Sequence, residues 1–319
     1  MYLEHFRLND APFRLTPDTN FFCNYASHQE ALNVLLVALS GGEGFIKITG
    51  AVGTGKTVLC RKLINTLGER FETLYIPNPF LYPTGLLMAV AEELGLETDR
   101  YDGLYLLFKR ITHRLMELKR AGKRVVLCVD EAQAMPDSSL ECIRLLTNLE
   151  TEKQKLLQVV FFGQPELDQR LSRNVYHQLR QRITFSYHLN PLNRYCVEAY
   201  VSHRLRSAGY TGRRLFSPGA IRELHRSSRG IPRLVNILCN KSLMAAYGKG
   251  EAMIRRRHVR QAVDDTESIQ PAAPPPPPRM RLAYGSFAVL VTLGTLVGSY
   301  FIAHHGGLDV THQVVARLP

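Results

Sequence analysis

The chain contains a glycine-rich octapeptide at residues 50–57, with the sequence Gly-Ala-Val-Gly-Thr-Gly-Lys-Thr. It follows an apolar stretch typical of a buried strand, Phe45 to Thr49, and precedes an amphipathic pattern over 57–67. Its spacing matches GxxxxGK[ST], and a strand before it with a helix after it is the setting in which this pattern binds phosphate. The alternative, a coincidental glycine turn, does not explain that setting. The motif therefore restricts the fold to an α/β architecture with a phosphate loop at one strand end.

Each residue type in this loop has a chemical reason. Glycines let backbone N–H groups turn inward around the β- and γ-phosphates, and the helix start adds positive dipole. We expect Lys56 to pair with phosphate oxygens and the Thr57 hydroxyl to ligate Mg²⁺. The predicted contacts to ATP are Gly50, Val52, Gly53, Thr54, Gly55, Lys56, Thr57 and Val58.

A second apolar stretch, Val125 to Val129, ends in the carboxylates Asp130 and Glu131. In a P-loop fold, a strand beside the first delivers such an aspartate to the metal shell. We expect Asp130 to orient the water shell of Mg²⁺ and Glu131 to act as general base on the attacking water. The alternative is a helix N-terminus that carries acids.

Gln164 follows another apolar stretch, at the point where that predicted strand ends. A polar side chain there is expected near the γ-phosphate, where it holds the lytic water. The alternative is a helix cap before Pro165.

Three arginines complete the predicted site. Arg180 and Arg182 come just before the last predicted strand, where an arginine can reach the γ-phosphate of a neighbouring subunit as an arginine finger. Arg182 is the favoured one, and the alternative for both is solvation of a basic surface. Arg233 starts a later helix and is expected to bridge that helical part to the nucleotide.

Apolar stretches alternate with helical patterns in the first part of the chain. Strands are predicted at 45–49, 73–76, 125–129, 158–162 and 184–189, and helices at 31–40, 57–67, 84–94, 103–121 and 139–151. This alternation indicates βαβ units around a parallel five-stranded sheet. Beyond Pro191 only helices are predicted, at 195–208, 217–228, 232–247 and 256–264. We expect an α/β nucleotide-binding core over 1–192 and an all-helical lid over 193–265.

The formal net charge is +12, and residues 170–260 hold 19 Lys and Arg against 3 Asp and Glu. Such an excess points to an acidic partner such as nucleotide, nucleic acid or anionic lipid, or else to a topological signal. The six cysteines form no CxxC pair, which argues against a zinc ribbon. The chain is too large and too poor in cysteine for a disulfide scaffold, so reduced thiols in a cytosolic domain are favoured. The first 13 residues show no apolar run, so no signal peptide is expected.

The amino-acid composition changes from residue 266 onwards. Residues 266–281 form a linker with five consecutive prolines, which favour a stiff polyproline spacer. Residues 282–303 contain no charge and as a helix would extend about 33 Å, enough to cross a bilayer. A buried core helix is the alternative. Arg279 and Arg281 precede this segment, whereas only Arg317 follows it, so residues 1–281 are expected in the cytoplasm and the short tail 304–319 in the periplasm.

With these motifs in place, the chain resembles the AAA+ ATPases of the general secretion pathway protein A (ExeA) type. The resemblance covers about residues 1–265. It rests on Met1-Tyr-Leu-Glu-His-Phe6, Pro12 to Asp18, Glu43 to Phe45, Val52 to Thr57, Asp130-Glu-Ala-Gln133, Gly163 to Leu167, Leu179 to Ile183 and Gly230-Ile-Pro-Arg233. Within the family it is nearest to the ATPases of mannose-sensitive haemagglutinin (MSHA) type IV pilus biogenesis.

The resemblance implies a Walker A and B ATPase in which Gln164 is sensor 1 and Arg233 is sensor 2. It also implies a homo-oligomer that works with inner-membrane components of a pilus or secretion complex. Ala51 departs from the family, where Glu is frequent, and the 16-residue tail holds no periplasmic peptidoglycan-binding domain. Direct cell-wall binding is therefore not expected.

Three functions compete at this point. The first is a membrane-anchored ATPase for assembly of a bacterial type IV pilus or type II secretion complex. The second is a DNA-binding AAA+ ATPase of the transposition-helper class, whose contacts to phosphates the basic region would supply. The third is a nucleotide-gated scaffold with negligible turnover, against which Glu131 argues. The predicted span favours the first.

Overall fold

The computed structural model describes residues 2–16, 26–99, 101–150 and 155–267. These residues belong to one compact unit. The predicted span 282–303, the tail 304–319 and all but the first two residues of the linker 266–281 lie outside the described residues. In the part that is described, no helix combines the length and the apolar character needed to cross a membrane.

Five parallel strands form the central sheet, in the order β2-β3-β4-β1-β5. They are β1 (Phe45–Gly50), β2 (Phe71–Ile76), β3 (Arg124–Val129), β4 (Leu157–Gly163) and β5 (Phe185–Leu189). Every residue of β4 is buried, as expected for the middle strand of a parallel sheet covered on both faces. The predicted parallel five-stranded sheet is confirmed.

One detail of the predicted sheet is wrong. The strand that carries Asp130 is not beside β1, because β4 lies between β3 and β1. Val159 of β4 faces Phe45 on one side and Leu127 on the other. The fully buried β4 lies at the centre, where both of its edges and both of its faces are covered. Gln164, at the end of β4, thus follows the strand next to β1.

Helices cover both faces of the sheet and also form a separate helical region. In chain order they are α1 (Tyr2–His5), α2 (Ala26–Gly41), α3 (Lys56–Thr66), α4 (Pro83–Glu93), α5 (Leu104–Arg120), α6 (Asp137–Leu146), α7 (Pro165–Leu171), α8 (His177–Arg182), α9 (Arg194–Ser207), α10 (Pro218–Ser228), α11 (Pro232–Tyr247) and α12 (Arg256–Asp264). Helices α4 to α7 share one apolar core with one face of the sheet, and α2 and α3 share another with the opposite face. Successive strand residues alternate between the two cores, as Phe161 and Phe162 do.

Helix boundaries differ from the prediction by more than one residue at two places. Helix α2 begins at Ala26, five residues before the predicted start at 31. The helix predicted over 139–151 ends at Leu146, where the Thr147 hydroxyl bonds the Arg144 carbonyl at 2.8 Å. Glu150 then pairs with Lys155 in an isolated antiparallel bridge. Helices α7 and α8 have seven and six residues, too few for a periodic pattern to reveal them.

Helices α9 to α12 build a third apolar core of their own. The N-terminal segment joins it, since Phe6, Leu8 and Phe13 are buried there. Arg204 of α9 fixes this segment by donating to the carbonyl oxygens of Pro12 and Arg14. Residues 2–16 thus pack on helices that lie almost two hundred positions further along the chain.

Gly230 connects this helical region to the end of the sheet. Its carbonyl accepts a hydrogen bond from the Leu192 N–H at 2.8 Å, and its φ is +75°. A Cβ at this position would overlap the Leu192 carbonyl oxygen. Only glycine fits both the backbone conformation and the close approach.

Gly230→Ala should therefore destabilise the protein through two effects. The left-handed conformation alone costs an L-residue roughly 1–2 kcal/mol, and the overlap with Leu192 adds to that. Gly250→Ala is the matched control, because Gly250 has φ +65° but open space around its Cβ position. Urea unfolding should show a clearly larger loss for Gly230→Ala, and equal losses would contradict the importance of the close approach.

Candidate nucleotide site

The phosphate loop lies where β1 ends and α3 begins. Gly53 and Gly55 adopt φ values of +81° and +98°, a region that glycine enters without cost. The space beside them is filled by other parts of the chain. A Cβ on Gly53 would lie 2.7 Å from Arg233 Cβ, and a Cβ on Gly55 would lie 2.8 Å from His28 Nε2. The motif glycines thus serve both the loop conformation and its close packing.

Lys56 is 4% exposed and points into the loop. Its Nζ donates to the carbonyl oxygens of Gly50 at 2.8 Å and Ala51 at 3.1 Å. Burial lowers the pKa of Lys56, while the carboxylates of Glu131 and Asp130 act in the opposite direction. The ammonium is therefore held where phosphate oxygens would reach it.

Thr57 and Asp130 form a direct pair. The Thr57 hydroxyl donates to Asp130 Oδ2 at 2.6 Å, and Asp130 is 3% exposed. Burial raises the pKa of Asp130, opposed by hydrogen bonds from Thr57 and from the Glu131 backbone N–H. A hydroxyl and one carboxylate suit Mg²⁺, which takes few protein oxygens and completes its shell with phosphate and water. The donor set therefore fits the predicted metal.

Glu131 has a strained backbone and a well-fixed side chain. Its φ of +49° lies in the left-handed region, which is uncommon for a residue with a side chain. Its Oε2 accepts hydrogen bonds from Gln133 Nε2 at 2.5 Å and Gln164 Nε2 at 3.1 Å. Burial raises the pKa of Glu131, but the two amides and Lys56 outweigh it and the pKa is lowered overall. The carboxylate is thus kept ionised, as a base requires.

Gln164 occupies the residue position before α7, yet its side chain makes no capping hydrogen bond. It faces Glu131 instead. Of the two interpretations from the sequence, the geometry favours the one that places Gln164 in the site. Its action on a water molecule stays a prediction.

Arg233 lies directly on the phosphate loop. Its backbone N–H donates to the Gly53 carbonyl at 3.2 Å, which joins the start of α11 to the loop. Ile231 supports the same contact, with its Cγ2 at 3.1 Å from the Gly53 Cβ position. The main chain therefore joins the helical region to the phosphate loop, and a contact of Arg233 with nucleotide stays a prediction.

The other predicted loop residues differ in how far they are buried. Thr54 is 1% exposed and its hydroxyl donates to the Ala51 carbonyl at 2.8 Å, so it stabilises the loop itself. Val52, within the loop, is 56% exposed, and Val58 is half-buried on α3.

Arg180 and Arg182 are not at this site. Both belong to α8, which leads into the start of β5, and Phe185 there pairs with Ile46 at the start of β1. From Ile46, β1 runs about 13 Å further before the loop begins. Arg182 is half-buried and donates to Thr147 Oγ1 at 3.2 Å, whereas Arg180 is exposed. The two arginines therefore lie towards the opposite end of the sheet from their own chain's phosphate loop.

Two residues at the site were not predicted. Gln133 was seen only as part of a motif, because its contact with Glu131 depends on the 3₁₀ turn Ala132–Ala134. His28, on α2, packs against Gly55 and bonds the backbone of Thr54, and burial lowers its pKa to about 4. No sequence signal connects residue 28 to a loop more than twenty positions away.

Comparison with known proteins agrees with this geometry. Residues 39–171 match the family described as an AAA domain. General secretion pathway protein A of Aeromonas hydrophila is 44% identical over 270 residues, which is 85% of this chain and 49% of that protein. The chain thus spans about half the length of that relative.

Solved structures share the fold at low identity. One is the ORC2 protein of Aeropyrum pernix, with a TM-score of 0.59 and 15% identity, covering 81% of this chain and 73% of that one. Another is Cdc6p of Pyrobaculum aerophilum, with a TM-score of 0.57 and 19% identity, covering 78% of this chain and 70% of that one. A third is the Drosophila ORC bound to DNA, with a TM-score of 0.58 and 19% identity, covering 79% of this chain and 65% of that one. At these identities the likeness concerns the fold alone. The chain carries an AAA domain with a P-loop α/β fold and a parallel five-stranded sheet.

Proposed function

We propose that the protein binds ATP with Mg²⁺ and hydrolyses it to ADP and phosphate. One observation carries the proposal: the same end of the sheet brings together the phosphate loop, the Thr57–Asp130 pair and an ionised Glu131 held by two amides. A phosphate loop alone binds nucleotide, whereas a fixed carboxylate beside it is what hydrolysis adds.

The side chains divide the work between binding and chemistry. Lys56 exchanges the Gly50 and Ala51 carbonyls for phosphate oxygens. Thr57 and Asp130 would hold Mg²⁺, which when bound would neutralise charge on the phosphates. Glu131 takes a proton from water as the water oxygen bonds the γ-phosphorus and the bond to the β-phosphate oxygen breaks. Arg233 extends from the helical region towards the nucleotide.

Glu131→Gln tests the base directly. The amide keeps the size of the side chain but cannot accept the proton, so turnover should fall by roughly 10²-fold or more while ATP binding persists. Lys56→Ala should instead lose ATP binding. Phosphate release and binding of a fluorescent ATP analogue separate the two effects. Wild-type turnover in Glu131→Gln would show that the base is wrongly assigned.

We further propose that the active form is a homo-oligomer in which α8 of one subunit serves the next. Arg180 and Arg182 are too far from their own loop to act on it, and they are placed before β5 as an arginine finger requires. Arg182 already bonds Thr147, while Arg180 is exposed. A finger that acts between subunits is worth roughly 10³–10⁵ in rate.

Mixing two inactive variants tests this arrangement. Arg180→Ala and Arg182→Ala keep Glu131, and Glu131→Gln keeps both arginines, so mixed oligomers place an intact arginine beside an intact base. We expect a finger variant to regain activity when it is mixed with Glu131→Gln, and the wild-type rate per subunit to rise with protein concentration. A rate independent of concentration, without recovery on mixing, would refute the oligomer.

The cellular role proposed here is assembly of an envelope complex. The 44% identity to general secretion pathway protein A supports a place in a type II secretion or related type IV pilus system, including an MSHA-like one. The uncharged segment 282–303 supports a single-pass anchor in the bacterial inner membrane, with the ATPase on the cytoplasmic side. Its partners would then be inner-membrane components of that assembly.

A second function has one observation in its favour. Helices α10 and α12 contact each other, and exposed arginines on both surround a single buried carboxylate, Glu223. Glu223 pairs with Arg226 at 2.5 Å and Arg256 at 2.8 Å, while Arg222 and Arg260 add further charge nearby. This basic face suits phosphates, as a transposition-helper ATPase on DNA would need.

Fractionation decides between the two roles. The full chain should stay in the inner membrane through a high-salt wash, because an apolar span is held independently of charge. A chain truncated after Gln270 should be released and still hydrolyse ATP. A full chain that washes off with salt and binds duplex DNA with a steep salt dependence would replace the anchored role by the DNA role.

A further inference from the structure

We propose that Gln133 is a positioning residue for the base, which holds the Glu131 carboxylate at the phosphate end of the sheet without touching nucleotide. The inference rests on the proposed ATPase function and adds a residue to it. Gln133 lies in the 3₁₀ turn Ala132–Ala134, two positions after Glu131, and its Nε2 is 2.5 Å from Glu131 Oε2. That is the shorter of the two hydrogen bonds on this carboxylate.

The orientation of the Gln133 amide is determined by its second contact. Its Oε1 accepts a hydrogen bond from the backbone N–H of Gln164 at 2.9 Å. A backbone N–H can only donate, so the amide oxygen must face Gln164. The NH₂ group must then face Glu131, and the side chain cannot flip without losing both hydrogen bonds.

The main chain of Gln133 is fixed as well. Arg170 of α7 donates to the Gln133 carbonyl at 2.6 Å and also pairs with Asp137 at the start of α6. Gly163 borders the amide, since a Cβ there would be in van der Waals contact with Gln133 Oε1 at 3.4 Å. Two helices and the end of β4 therefore define where the amide points.

Glu131 needs such support because of its backbone. At φ +49° it belongs to neither a strand nor an α-helix, so no regular neighbours constrain its side chain. Gln164 supplies one contact at 3.1 Å, and Gln133 supplies the closer one. Misplacing a reacting group by about 1 Å can cost roughly 10²-fold in rate. Loss of the Gln133 amide should thus reduce turnover even though Glu131 is intact.

Two substitutions separate the donor from the rest of the side chain. Gln133→Glu keeps an acceptor for the Gln164 N–H but places a carboxylate against Glu131, and Gln133→Leu removes both contacts at similar volume. We expect kcat to fall about 10- to 100-fold in both. The Kd of a non-hydrolysable ATP analogue with Mg²⁺ should stay within about twofold, because within the described residues Gln133 makes hydrogen bonds to Glu131, Gln164 and Arg170 and none to the loop or to Asp130.

A double-mutant cycle tests whether Gln133 acts through Glu131. In a Glu131→Gln background, Gln133→Leu should cause no further loss of the residual single-turnover rate, since the side chain that it positions is already inactive. Gln158→Leu is the matched control. Gln158 lies at the start of β4, and its amide donates hydrogen bonds to the carbonyl oxygens of Leu39 and Glu43. Loss of this amide should lower the unfolding midpoint and leave kcat unchanged.

The outcomes are distinguishable. A wild-type protein without hydrolysis would overturn the proposed function and this assignment together. Wild-type hydrolysis with kcat unchanged in both Gln133 variants would overturn the assignment alone. Losses that add fully in the double mutant, or that come with an equal loss of analogue binding, would likewise overturn it, because Gln133 would then act on the fold or the loop.

Discussion

The hydrogen bond between Thr57 and Asp130 joins two parts of the sheet that are not neighbours. Thr57 is in the first turn of α3, which follows β1. Asp130 comes directly after β3, and β4 runs between the two strands. The bond can form only if the carboxyl ends of all three strands lie at one level and the first turn of α3 leans across β4. The parallel register provides that level, pairing Thr49 with Gly163 and Val129 with Phe161. The predicted metal-binding pair therefore depends on the alignment of β3, β4 and β1, the three central strands of the sheet.

The same arrangement explains how charge is tolerated at a buried place. Lys56, Asp130 and Glu131 lie together, and each has hydrogen bonds that offset its loss of water. Lys56 bonds main-chain carbonyls, Asp130 bonds a hydroxyl and an N–H, and Glu131 bonds two amides. Since every one of these partners is neutral, the charges remain available to a phosphate, a metal and a water proton.

Much of this site could be predicted from the sequence because its signals are local. The loop, the acidic end of β3 and Gln164 each follow directly after a strand, and parallel strands end at one edge of a sheet. The strand order could not be predicted, since β3 and β4 are both apolar and only packing decides which lies beside β1. Gln133 was missed because its contact requires the left-handed backbone of Glu131, which no residue pattern indicates. The contact of Arg233 with Gly53 joins positions 180 residues apart and follows only from the docked helical region.

The packing of residues 2–16 on helices α9 to α12 has a consequence for synthesis. Phe6, Leu8 and Phe13 leave the ribosome long before their partners, such as Leu243 and Val259, which are made more than two hundred residues later. At about 5–20 residues per second, the interval is roughly 10–50 s. During that time the α/β core can fold, because the buried residues of its two apolar cores extend no further than Leu189, while the apolar N-terminal side chains have no native partner. The newly made chain therefore passes through a stage in which the α/β core is folded and the apolar side chains of residues 2–16 are exposed. At this stage a chaperone would have the most apolar surface to bind.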